Sequence, residues 1–149
     1  PFENKVSFKI GPNGTVVHDL AEKGGQIRRL YHGDEQIGRE YDSILDYVFG
    51  PNDELVFAAR KADQVVVVRG AKPIGTYEAG WLQHLQVGSD GTPAFALGVR
   101  SRQNPSAIEL HLVRGTAKRK IPDRAQYSPD LSTFVLSVQE KDASGKHLP

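Results

Sequence analysis

The chain has 149 residues, 19 lysines and arginines against 18 aspartates and glutamates, a net charge of +1 and no cysteine. That length is one ordinary domain, able to bury roughly 70% of its extended surface, and the charge balance creates no global field favouring nucleic acid or an anionic membrane. Disulfides, thiolate metal sites and thiol nucleophiles are excluded, and no apolar run approaches the roughly 20 residues that span a bilayer.

The chain opens with the strand-like run VSFKI (6–10), the turn GPNG (11–14), a second run TVVHDL (15–20), the polar turn AEKGG and a third run QIRRLYHG (26–33). The same order returns as LDYVF (45–49), GPND (50–53), ELVFAAR (54–60), KADQ and QVVVVRG (64–70). It returns again as LQHLQV (82–87), GSDG (88–91), TPAFALGVR (92–100), RSRQNPS and AIELHLVRG (107–115). A last copy reads AQY (125–127), SPDL (128–131) and STFVLSV (132–138), followed by EKDASGK. Successive turns begin 39, 38 and 40 residues apart. Each suits its place, since proline fixes φ, Asn or Asp bonds back to its own backbone, and glycine accepts positive φ. With a fourth segment closing each unit, the pattern predicts four antiparallel strands per period and no helix.

In ELVFAAR, Leu55, Phe57 and Ala59 fall on one face and Val56 and Ala58 on the other, while Val65 to Val68 is apolar on both. Without helices to cover such strands, the sheets must cover one another. Radially stacked four-stranded sheets with a period near 40 are a β-propeller. The expected fold is therefore all-β, an incomplete ring with repeats at about 1–40, 41–76, 77–121 and a truncated 122–149. Propellers close with roughly 4 to 8 blades, so the expectation is a part of a longer propeller, with a homodimer completing one ring as the other route. In the first copy His18, Asp19, Arg28 and Arg29 interrupt the strands, which predicts a face in water or against something polar.

The stretch VFGPNDELVFAARKADQVVVVRGAKPIG followed by TYEAG resembles the TolB-like and WD-like β-propeller repeat family. Phe49-Gly50-Pro51-Asn52-Asp53 and Tyr127-Ser128-Pro129-Asp130-Leu131 stand at its Ser-Pro-Asp-Gly turn, and Val65 to Gly70 at its valine-rich strand and glycine turn. No copy carries that turn intact, and the Trp-Asp pair is absent. The resemblance implies protein binding or scaffolding, in a bacterial envelope, with a periplasmic or secreted location. It also implies an alternative, a propeller shielding a serine hydrolase whose catalytic residues lie outside this chain.

The candidate binding residues are the tyrosine-acid pairs Tyr41-Asp42 and Tyr77-Glu78, expected at the junctions between units where loops gather, and Trp81, the lone tryptophan. Against binding stands a packing role: each acid holding turn amides while its ring fills the space between sheets. Histidines at 18, 32, 84, 111 and 147 lack ligand spacing, so no metal is expected. Lys118-Arg119-Lys120, with Arg100, Arg102, Arg114 and Arg124 near, reads as a solvated loop without the aromatic interleaving of a nucleic-acid platform. No nucleophile elbow, phosphate loop or HExxH motif occurs. The reading is a non-catalytic module without cofactor, whose partners are another protein or the remaining blades.

Overall fold

Three of the recurring turns are closed by the same bond. The first glycine's N–H donates to the carbonyl four residues on: Gly11 to Thr15 at 2.8 Å, Gly50 to Glu54 at 2.8 Å and Gly88 to Thr92 at 2.9 Å. The computed structural model, which describes residues 6–22, 24, 27–121, 125–127 and 134–136, hangs one antiparallel hairpin on each of these turns.

The first sheet is β1 (Val6–Ile10), β2 (Val16–Ala21), β3 (Arg28–His32) and β4 (Glu35–Ile37), paired in chain order. The second is β5 (Ser43–Phe49), β6 (Leu55–Lys61), β7 (Gln64–Arg69) and β8 (Lys72–Glu78), and the third β9 (Trp81–Val87), β10 (Pro93–Arg100), β11 (Ile108–Arg114) and β12 (Ala117–Ile121). A further pair, β13 (Ala125–Tyr127) and β14 (Phe134–Leu136), follows. Apart from one 3-10 turn at Pro51–Asp53, the described residues hold no helix, and none long and apolar enough to cross a membrane. The all-β expectation of four antiparallel strands per unit holds for these three sheets. The boundary expected after residue 76 moves, because Tyr77 and Glu78 belong to the last strand of the second sheet.

The second sheet is buried on both faces, as its valine run requires. Phe57, Ala59, Val66 and Val68 pack with Val17 and Leu30 of the first sheet. Val56, Ala58, Val65 and Val67 pack with Leu82, Leu85, Phe95, Leu97 and Val113 of the third. Leu82 and Leu85 are three residues apart yet share a face because β9 carries a bulge opposite Phe95, with His84 at φ 58°. A bulge of this kind adds a residue and reverses the alternation beyond it, and β5 has one at the corresponding place, between Ile44 and Asp46.

The turns are also stitched from sheet to sheet. Asp53 accepts the Asn13 N–H at 2.7 Å and the Thr15 N–H at 3.0 Å, so this aspartate serves the preceding turn rather than its own. Asp90 does what the turn chemistry predicts and accepts the Thr92 N–H within its own turn at 2.9 Å. A Cβ at Gly11 would strike the Asp53 carboxyl, so the glycine is required by this approach. Desolvation raises the Asp53 pKa, and these backbone and hydroxyl donors outweigh it and hold it low. Asp53→Ala should therefore unprotect the Asn13 and Thr15 amides in hydrogen exchange and lower Tm modestly, leaving β6–β7 amides protected.

The polar residues of the first sheet divide by strand alternation. Asp19 turns away from water and Arg28 does so only in part: Asp19 is 3% exposed and points at the second sheet, while the Arg28 side chain is 31% exposed. Asp19 accepts bonds from the Ser7 hydroxyl, from Arg28 Nε at 3.0 Å and Nη2 at 2.8 Å, and from the Tyr47 hydroxyl at 2.9 Å. Arg28 also donates to the Leu45 carbonyl at 3.0 Å, so the pair bridges two sheets. On the opposite face His18 stacks on Tyr31, with centroids 5.4 Å apart, beside Val6, Phe8, Ile10 and Val16, which are 60%, 65%, 62% and 45% exposed.

Candidate functional site

The two tyrosines chosen from the sequence make equivalent aromatic contacts. Tyr41, just before β5, is buried and meets Phe57 edge-on with centroids 6.0 Å apart. Tyr77 in β8 meets Phe95 edge-on at 5.5 Å. Phe57 and Phe95 are themselves 38 residues apart, one period. Burial raises both phenol pKa values, with the Glu40 charge adding to the shift at Tyr41. The acids then diverge. Asp42 is exposed and accepts the Ala62 N–H at 2.6 Å, closing the β6–β7 hairpin. Glu78 is exposed and lines a groove. Trp81 lies across Gly98, its cross-strand neighbour, on the face of the third sheet that also holds Ala94, Ala96, Leu112 and Ile121. The structure thus brings Tyr77 and Glu78 to one groove and leaves Tyr41, Asp42 and Trp81 outside it.

The groove, about 1340 Å³, is lined by residues of the second and third sheets and their connections. Its floor is Tyr77, Ala79 and Val99, and its walls carry Arg60, Arg100, Arg102, Lys118 and Lys120 against Asp63, Glu78 and Glu109. The basic run expected in a loop is a strand, β12, held by register to β11. His111 pairs with Lys120 and Val113 with Lys118, so both lysines share the face that meets the second sheet, and Arg119 takes the other. Propensity did not reveal this because pairing to β11, not composition, makes the strand.

Glu109 sits 2.9 Å from Lys120 Nζ and 3.5 Å from His111 Nε2. The hydrogen bond from Lys120 lowers its pKa most, Ser101 adds to this, and the net value is about 2. His111 is shifted down, first by burial and then by the charge of Lys118, so at neutral pH the site holds a carboxylate and a neutral imidazole. Its Nδ1 is buried without a hydrogen-bond partner. No protein-family model, curated protein or solved structure matches this chain.

The arrangement sets fixed charges of both signs on strands beside apolar residues and a ring nitrogen that has no hydrogen-bond partner. The sequence held a signal for it. Glu109 and His111, like Lys118 and Lys120, stand two apart, the spacing that places side chains on one face of a strand.

Proposed function

We propose that the chain is a non-catalytic β-propeller segment, its three sheets successive blades, that acts as a protein-binding or scaffolding module within a larger protein or assembly. The observation that carries this reading is the apolar outer face of the first sheet. Shifted by the 39-residue interval between the first two turns, Phe8, Ile10, Val16 and His18 correspond to Tyr47, Phe49, Leu55 and Phe57. Those four residues of the second sheet form or adjoin the cluster that the first sheet covers. The outer face is therefore the docking face for a preceding sheet of the same repeat. Covering side chains this exposed gains on the order of 1–2 kcal/mol each, and contiguous apolar patches of this kind mark interaction surfaces.

The absence of cysteine gives a direct test. A Phe8→Cys variant carries a unique thiol on this face, and its rate of labelling by a maleimide can be compared in the isolated chain and in the natively purified protein with its partners. Protection of at least tenfold in the native protein is the expected result. Labelling as fast as in the isolated chain would sink the reading.

A further inference from the structure

The groove between the second and third sheets carries an inference that does not depend on the outer face of the first. Lys120 is matched by Glu109, and Arg60 donates to the Gly80 carbonyl at 2.7 Å. Lys118, Arg100 and Arg102 make no ion pair with a described residue, and all three line the groove. Beside them His111 presents a buried Nδ1 with no partner. A buried polar atom left without a hydrogen bond is costly, so a ligand supplying one there gains free energy by entering. Along the same wall, β12 is the last strand of its sheet and pairs with β11 alone among the described strands.

We propose that this groove binds an acidic, extended peptide segment of a partner protein, which adds along the β12 edge and sets its carboxylates on Lys118, Arg100 and Arg102. Geometry separates this ligand from a compact anion. Lys118 pairs with Val113 and Arg100 with Ile108 of β11, five residues or roughly 17 Å apart along the strand, a spread that an extended peptide spans and a compact anion does not. A cluster of phosphates would also meet Asp63, Glu78 and Glu109 on the same walls, whereas a peptide can set neutral or basic side chains against them. The groove also exceeds the roughly 300–1,000 Å³ of small-molecule pockets, while strand addition beside side-chain subsites is an established mode of peptide capture. Lysines guard the edge against ordinary strands, and that same charge selects an acidic one.

The test uses a fluorescein-labelled decapeptide of alternating Glu and Val, with a Lys-Val peptide as control, titrated with the intact chain and followed by anisotropy. Saturable binding of the acidic peptide alone is expected, weakened at least tenfold in the double variant Lys118→Glu/Arg102→Glu. Arg39→Glu, an exposed charge outside the groove, should leave binding within twofold. Both substitutions are at exposed positions, and circular dichroism checks that the fold persists. Three outcomes overturn the proposal: no saturable binding to the wild-type chain, equal loss with Arg39→Glu, or displacement of the peptide by millimolar inorganic phosphate that marks a phosphate site instead.

Discussion

Asp19→Ala is expected to destabilise the protein by about 2–3 kcal/mol, the cost of removing a buried carboxylate and its charge-assisted hydrogen bonds from a pair whose arginine is half-buried. The carboxylate is enclosed between the first two sheets, and four donors converge on it from Ser7, Arg28 and Tyr47. Its removal leaves the half-buried Arg28 guanidinium with the Leu45 carbonyl as its remaining acceptor in the protein. Asp19→Asn keeps an acceptor in place and loses the charge, so its cost should be smaller. Replacing both partners with leucine should cost less than Asp19→Ala, since no uncompensated charge remains. Urea denaturation at pH 7, followed by circular dichroism, ranks the three.

The same network sets the acid and alkaline limits of stability. Burial raises the Asp19 pKa, but bonds from Ser7, Arg28 and Tyr47 and the Arg28 charge outweigh it, leaving the folded value below the ordinary 3.8. A depressed carboxyl contributes stability that is complete above its unfolded pKa and is lost as pH falls through the folded one. Wild type should therefore weaken below about pH 4, and Asp19→Asn should lack that part of the acid loss. Tyr47 has the opposite sign: burial first, then its bond to Asp19, pushes the phenol up to about 12. Its neutral form stabilises the fold fully below the ordinary value of 10.0, and that contribution fades as pH climbs toward 12.

Why the surroundings of Asp19 are less legible in the sequence than the sheets is a matter of what alternation encodes. The run of four valines and the two-faced ELVFAAR specify a strand covered on both sides, because no other environment accepts them. Asp19 shares its face with Val17, which is buried, so alternation puts it on the inward face once that burial is seen. Alternation assigns residues to faces, but it cannot say that a serine, an arginine and a tyrosine from three other strands will converge on one carboxylate. The tyrosine-acid pairs show a different limit of sequence pattern. They are similar in sequence, yet Tyr41 precedes its sheet and Tyr77 lies inside one, so only the aromatic contact is equivalent. The groove escaped because its members come from β6, the β6–β7 turn, β8, β10, the β10–β11 connection, β11 and β12, and a charge run considered alone looks like solvated surface.

Phe95→Ala is expected to cost about 3–5 kcal/mol, and its location makes it a test of how the sheets depend on one another. The ring is 1% exposed, sits opposite the β9 bulge, and touches Tyr77 of the neighbouring sheet edge-on. Bulged backbone has little freedom to collapse into the space, so the cavity term should persist rather than relax away. Phe95 lies between the second and third sheets, and Asp19 between the first and second. In a stack where each sheet meets only its neighbours, stability is a sum of unit and interface contributions. Native-state hydrogen exchange should then show Asp19→Ala unprotecting chiefly β1–β4, and Phe95→Ala chiefly β9–β12, with β6 and β7 the last to open in both. The double variant should be additive within about 0.5 kcal/mol, since the sites share no partner. Uniform loss of protection across all three sheets in either variant would mean instead that the sheets fold as one cooperative unit, with the double-faced second sheet transmitting each defect to the far side.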